Sequence, residues 1–319
     1  MPNFKFFGRK PKRKDFLVVE IGLEKIACAI FQKEGPQIKL VGVGKKKYSL
    51  GEEVFDTVLE ALDSLAAIAP DFPTTGVLGI SGGSLGTITT IARYARPNPK
   101  KPITLEETED ALHQIVKDLD TEEKKVFFST IAGADIDGVR VSNPLGLKGE
   151  KIQLSCFAAF KDASELELLH RLMNEIDVKI EKIIPTSFTA AKILLDKNLK
   201  DVLIFRVGAD RSELTVMNDG HVSEILPVGL GASEPKLLPI AWQAAIKKFE
   251  KEKPPDLIWL FADHDQINLE KINEILVEFP WKAQLGFQLD PRVEIAQNIQ
   301  NFSPSDIGIF ALSRQEEYE

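Results

Sequence analysis

The sequence is short of the residues that carry most metal and nucleophile chemistry. Its 319 residues include two cysteines, three methionines, three tryptophans, three tyrosines and four histidines. Cys28 and Cys156 each sit alone in an apolar, strand-like segment. That excludes a disulfide framework and a Cys/His zinc cluster, and reads as two buried thiols in a reducing, cytoplasmic compartment. His113, His170, His221 and His264 lie singly, and no Ser/His/Asp or Cys/His arrangement is legible, so no metal site and no catalytic residue is expected. No run approaches the roughly 18 to 20 apolar residues of a membrane-spanning helix. The basic N-terminal stretch has no apolar run after it and does not read as a secretory signal. Low-complexity segments and short-period repeats are also missing.

What is present is an ordinary globular composition, 44% apolar and 28% charged, in a chain long enough for two or three domains. The net charge of −8 is unevenly spread. Residues 1–14 carry Lys5, Arg9, Lys10, Lys12, Arg13 and Lys14 and no acid, which leaves an acidic body and argues against nucleic-acid binding there. This arm also carries Phe4, Phe6 and Phe7. Cations interleaved with aromatics suit an anionic membrane surface, at about 1 kcal/mol per cation. Pro2, Gly8 and Pro11 argue against a regular helix in it, so 1–14 is expected to be a flexible arm whose Phe4, Phe6, Phe7, Arg9, Lys10, Lys12, Arg13 and Lys14 form the membrane contact.

The most ordered pattern is Asp201–Ala232. Three short apolar runs, Val202–Val207, Ser212–Met217 and His221–Pro227, are separated by Gly208 and by Asn218-Asp219-Gly220, which is hairpin chemistry. The Gly-Ala-Asp turn after the first run could face a phosphate or belong to a plain sheet. The N-terminal part repeats the pattern: Phe16–Ile21, the turn Gly22-Leu23-Glu24-Lys25, Ile26–Phe31, a turn at 33–36, then Gln37–Val43. Two such meanders predict a duplicated α/β architecture with a cleft between its halves. Between and after them the spacing predicts helices over Glu52–Ala69, Thr104–Leu119 (a capping box, with Glu107 three residues on), Glu165–Glu175 capped by Ser164, Ser187–Leu195, Pro239–Glu250 and Leu269–Glu278. It predicts strands over Gly76–Ser81, Thr87–Arg93, Lys124–Ile131, Gly138–Val141, Lys151–Phe160, Val178–Ile184, Leu257–Phe261 and Phe287–Leu289. Gly82-Gly83, Gly208, Gly229 and Gly231 end strands, where tight turns need positive φ.

Taken together these pieces resemble the bacterial actin-like protein FtsA and its relative PilM, over roughly residues 15 to 312. The most specific match is GISGGSLGTIT, then PITLEETEDALHQI, then DIDGVRVSNPLGLKGEKIQLSCFAAF, which looks like the family's inserted subdomain 1C. Asn143-Pro144-Leu145-Gly146-Leu147 is its most telling segment. Asp15–Phe31 and Leu203–Val216 match the two phosphate motifs in position, and Leu226–Gly231 the stretch that opens the insertion in subdomain 2A. The resemblance implies an α/β, actin-like (ribonuclease H-like) duplicated core with an inserted α+β subdomain. Residues 15–85 with 160–199 would form subdomain 1A, 86–159 the 1C-like insert, and 200–319 a subdomain 2A without 2B.

Three departures stand against a working ATP site. Members that bind ATP carry Asp before the glycines of both phosphate turns, to organise magnesium. Here those positions hold Glu20 and Arg206, and bulkier Leu23-Glu24 and Ala209-Asp210-Arg211 replace small residues that let backbone N–H groups reach phosphate. At the adenosine turn the family's glycines give way to Phe261-Ala262-Asp263-His264, where Phe261 would obstruct a base and Asp263 repel phosphate. Only Gly229–Asp256 stands where about a hundred residues of 2B are expected from the resemblance. Arg206 is predicted to pair with Glu20 across the cleft, a salt bridge in place of a metal.

The expectation is therefore a non-catalytic scaffold with no cofactor, recruiting bacterial division proteins at the inner face of the cell membrane. Self-association is a further expected partnership. FtsZ docks on 2B in the family and filaments pack 1C on 2B, so a shortened 2B argues against both. The ending RQEEYE does not match the family's C-terminal membrane helix, which leaves membrane contact to the N-terminal arm. Two alternatives remain open. One is a PilM-like component of a type IV pilus or secretion assembly platform. The other is a switch binding ATP and magnesium through Glu20, Gly22, Lys25, Gly208, Asp210, Ser212 and Gly229.

Overall fold

The computed structural model describes residues 14–35, 37–48, 54–141, 143–247, 254–285 and 290–315. The arm up to Arg13, the expected strand Phe287–Leu289, and the ends of two expected helices at 52–53 and 248–250 lie outside the described residues.

The two meanders fold into two sheets of the same topology. In the first, β1 (Lys14–Ile21), β2 (Lys25–Glu34) and β3 (Gln37–Lys47) are antiparallel neighbours. Helix α1 (Val54–Ala66) then carries the chain to β4 (Thr75–Ile80), parallel to β1. The four-stranded insert follows: β5 (Gly86–Ala95), α2 (Leu105–Leu119), β6 (Lys124–Ile136), β7 (Val139–Val141) and β8 (Lys151–Asp162). The chain returns through α3 (Ala163–Glu175) to β9 (Lys179–Pro185), parallel to β4, and α4 (Thr186–Leu195). The second half repeats this as β10 (Val202–Val207), β11 (Ser212–Asn218), β12 (His221–Val228), α5 (Leu238–Ile246), β13 (Leu257–Ala262), α6 (Leu269–Glu278), α7 (Trp281–Leu285), β14 (Arg292–Ile295) and α8 (Ile307–Ser313). The strand orders, β3-β2-β1-β4-β9 and β12-β11-β10-β13-β14, are the same. The insert is ordered β5-β8-β6-β7.

Burial follows from this layering. The runs in β10 and β13 are buried at every position, as expected of central strands covered on both faces. One core lies between the two sheets and is filled by α4 and α8. Helices α1 and α3 cover the outer face of the first sheet, and α5 and α6 that of the second. Phe205 of β10 stacks on Trp242 of α5 with ring centroids 3.9 Å apart. Both cysteines are free and buried, and burial pushes the Cys156 thiol up to about 11.

Several expectations are corrected. Helix α3 begins at Ala163 with Asp162 before it, not with Ser164 as cap, because β8 stays hydrogen-bonded to β6 as far as Asp162. Thr104 does cap α2, accepting from the Glu107 amide. Helices α7 and α8 and strand β14 were not anticipated. Among the described residues only α5 stands between β12 and β13. Gly82 and Gly83 have positive φ, but Gly208, Gly229 and Gly231 do not. Gly231 is small because a Cβ there would press on the Ala209 carbonyl.

Candidate functional site: a self-liganded cleft

Where β1 and β10 end side by side, the turns that follow them face each other and enclose a buried cluster of charges. Glu20, near the end of β1, and Arg206, near the end of β10, are at most 1% exposed. Arg206 Nη2 donates to Glu20 Oε1 at 2.6 Å, Nε to Asp263 Oδ1 at 2.8 Å and Nη1 to Ser81 Oγ at 2.7 Å. The predicted Arg206–Glu20 pair is therefore formed, and Asp263 completes it. Burial disfavours the charged guanidinium, but the carboxylates of Glu20, Asp263 and Glu213 outweigh it and raise its pKa. Lys25 Nζ lies 3.8 Å from Glu20 Oε2 and donates to the Ser305 carbonyl.

The backbone N–H groups of the two turns are also occupied, by carboxylates of this same chain. In the first turn, the Leu23 and Glu24 amides donate to Asp263 Oδ1 and Oδ2 at 3.0 and 2.8 Å. In the second, the Asp210 and Arg211 amides donate to Glu24 Oε1 at 2.7 and 3.1 Å, and the Ala209 amide to Glu24 Oε2. Successive amides converging on one anion form the concavity that phosphate loops use. Here each concavity holds a carboxylate from the turn or strand end facing it. Burial works against charge on both acids. Arg206, Lys25 and the two amides hold the Asp263 carboxyl below its usual value, and His264 with the Asp210 and Ala209 amides does the same for Glu24. His264, at 3.6 Å from Glu24, is thus part of the cluster rather than an isolated histidine.

The glycines permit this approach. A Cβ on Gly22 would lie 2.6 Å from Asp263 Oδ1 and 2.7 Å from Arg206 Nη2, and one on Gly208 would lie 2.9 Å from Glu24 Oε2. A fourth buried acid, Glu213, accepts from the Gly82 amide at 2.9 Å and from Ser187 Oγ at the start of α4. Burial pushes its carboxyl up.

Of the residues expected to hold a nucleotide, Glu20, Gly22, Lys25 and Gly208 do converge. Asp210 contributes its amide while its side chain is exposed. Ser212 turns away, donating to the Leu230 carbonyl and accepting from Trp242 Nε1. Gly229 stands in open space. Phe261 is the residue expected to obstruct a base. It is buried in the core between the sheets, with its ring 5.8 Å from the Arg206 guanidinium carbon. The roles of Glu24 and Asp263 were not anticipated, although a carboxylate opposite an amide-rich turn was the available signal. Among the described residues no group of three or more His, Cys, Asp or Glu is placed to hold a metal ion.

A second feature is a groove of about 1080 Å³ between the insert and the first half. Among the described residues, β9 pairs only with β4, and β6 pairs with β7 only at Ala134–Ile136. Among the described residues, no strand is therefore added to β9 on the side away from β4, or to the first ten residues of β6 on the side away from β8, and both stretches line this groove. Its apolar lining includes Phe127, Phe128, Ile183 and Phe188. A bulge in β6 sits at Phe127.

This duplicated architecture, with one insert in its first half, is the actin-like ATPase fold. A solved PilM–PilN type IV pilus biogenesis complex matches with a TM-score of 0.62 at 12% identity, over 94% of this chain and 98% of that chain. A Bacteroides thetaiotaomicron protein of actin-like ATPase fold and unknown function matches with a TM-score of 0.51 at 11% identity, over 94% and 95% of the two chains. At these identities the likeness is one of fold. No family model and no curated protein matches the chain. Among the described residues, no helix is long and apolar enough to cross a membrane.

Proposed function

We propose that this protein is a recruitment scaffold of an assembly platform, of the PilM kind, which captures a partner through the groove between β6 and β9 and works without a nucleotide cycle. The observation that carries the reading is the pair of strand edges, on β9 away from β4 and on β6 away from β8, to which no further strand is added among the described residues, along one apolar-lined groove. An extended segment can add itself to such an edge through main-chain hydrogen bonds, while side-chain pockets select its sequence. The partner is accordingly a short extended stretch of another protein with apolar residues on one face. A pilus or secretion platform is preferred over cell division because the PilM–PilN complex shares this fold along nearly its whole length. Division rests on the Asn143–Leu147 turn of the insert, whose Gly146 and Leu147 form backbone hydrogen bonds with Ile103. The occupied turns of the cleft support a scaffold over an ATP switch, since the groups that would meet phosphate and magnesium already have partners.

The test is co-purification of the full chain with the PilN-type protein of the same cell, using wild type and Thr130→Arg. Thr130 lines the groove and lies outside the buried core, so arginine fills the groove and spares the fold. Wild type should retain the partner and the variant should lose it by roughly tenfold or more, about 1.4 kcal/mol. Equal retention by both would remove the groove, and capture of an FtsZ-type protein instead would move the assignment to division.

A further inference from the structure

The cleft has more order than a decayed binding site requires. Once a ligand is lost, nothing obliges its loops to find new partners of the same chemistry. Here five backbone N–H groups in two turns meet two carboxylates, Asp263 and Glu24, and the Arg206 guanidinium joins Asp263 to a third acid, Glu20. The contacts are crossed. Glu24, from the turn of the first half, fills the amides of the second. Asp263, from the end of β13 in the second half, fills the amides of the first. Glu24 and the Ala209 amide are 185 residues apart in the chain, and Asp263 and Leu23 are 240 apart. Every one of these bonds must break if the halves separate at the cleft.

We propose that the cleft is a latch closed by internal anions, with the Glu24 carboxylate as the resident ligand of a tetrahedral-oxyanion site formed by the Ala209, Asp210 and Arg211 amides. Glu24 is the movable piece. Asp263 is fixed by three groups, the Leu23 and Glu24 amides and Arg206, and Arg206 is itself held by Glu20 and Ser81. Glu24 is held by the three amides and by His264 alone among the contacts described above, at the partly exposed mouth where Asp210 reaches solvent. Removing its side chain leaves three convergent N–H donors. An inorganic oxyanion matches that arrangement in charge and donor geometry. The inference rests on the reading of the cleft as free of nucleotide in the working protein.

The experiment compares full-length wild type with Glu24→Ala, using inorganic phosphate as the probe and chloride at matched ionic strength as the control. Glu24→Ala should melt at a lower temperature. Phosphate should restore that loss and bind saturably, roughly tenfold tighter than to wild type, because a ligand specific to the folded state stabilises by mass action. The backbone resonances of Ala209, Asp210 and Arg211 should shift with phosphate in the variant and stay fixed in wild type. Equal thermal and spectral responses in the two proteins, or a variant with unchanged melting and no response, would overturn the latch. If Glu24→Ala does not fold, Glu24→Gln keeps the volume and one acceptor oxygen. Its carboxamide faces the N–H donors with a donor of its own, so the same resonances should respond to phosphate, and their silence would count equally against the proposal. A Mg-ATP titration of wild type keeps the two ideas apart. Micromolar binding would end the nucleotide-free reading, whereas the latch stands or falls on phosphate in the variant.

Discussion

Two kinds of buried acid share the cleft and pull on stability in opposite directions. Glu24 and Asp263 have partners that favour the charged form, so their folded-state pKa values are depressed. The stability they contribute is present above the unfolded carboxylate range and is lost as pH falls through their folded values. Glu213 has a raised folded-state value, with burial as the main cause. Its contribution is fully present below the unfolded value near 4.5 and is lost as pH rises through the folded one. At neutral pH it is therefore a burden on the fold. Glu213→Gln should raise the midpoint of denaturant unfolding at pH 7, since a carboxamide can still accept from the Gly82 amide without charge. The gain should shrink as pH falls and vanish below about 4.5. A gain that is the same at pH 4 and pH 7 would show that packing, not titration, is responsible. Much of this cluster was readable residue by residue. An acid and a base at the matching positions of two repeats predicted the Glu20–Arg206 pair. The seat of Glu24 was not readable, because it depends on how closely two distant turns approach, and no local pattern encodes that distance.

The secondary elements were legible in proportion to how one-sided their burial is. Strands that alternate and helices with one apolar face show a period, and α1, α2 and α6 fall close to their expected positions. Helix α8 is buried at every residue between two sheets, so Ile307–Ser313 carries no periodic signal and reads as a featureless apolar stretch. The packing of α1 on β3 shows the same point from the other side. Gly44 of β3 lies against the backbone of α1, where a Cβ would run into the Ala61 carbonyl and come within 2.6 Å of the Leu65 amide nitrogen. Its φ is not positive, so the constraint is contact rather than conformation. Gly44→Ala must push α1 away from the sheet and should cost about 1–3 kcal/mol in chemical denaturation, the usual range for overpacking. Gly229→Ala, with nothing within 4 Å of the added methyl and no positive φ, is the matched control and should change stability by less than about 0.5 kcal/mol. If the two variants behave alike, the close seat of α1 on β3 is not what the fold depends on.

For the whole molecule, the two halves share one core while the insert keeps part of its own. The core between the sheets contains residues of β1, β2 and α4 from the first half and of β10, β11 and α8 from the second, and the latch ties the same halves together at the cleft. The base of the insert joins that core through Phe157 and Ala159, with Phe188 of α4 stacked on Phe157 at 5.3 Å. Its far end is a satellite cluster of Ile103, Ala134, Ile136, Ile152, Leu154 and Cys156. Helix α2 covers this cluster with Thr108 as its one buried residue. Little apolar area holds α2 in place, so the tip should open without the rest. Native-state hydrogen exchange in low guanidinium should show α2 and β7 exchanging through a smaller opening than β1, β10, α4 and α8. The last four should merge into a single global step, because neither half can expose its side of the shared core alone. If β1 and β10 exchange at separate free energies, the halves are independent domains and the latch does not couple them. If α2 merges with β1, the tip of the insert is part of the global unit, and its small core is more strongly coupled to the base than its packing indicates.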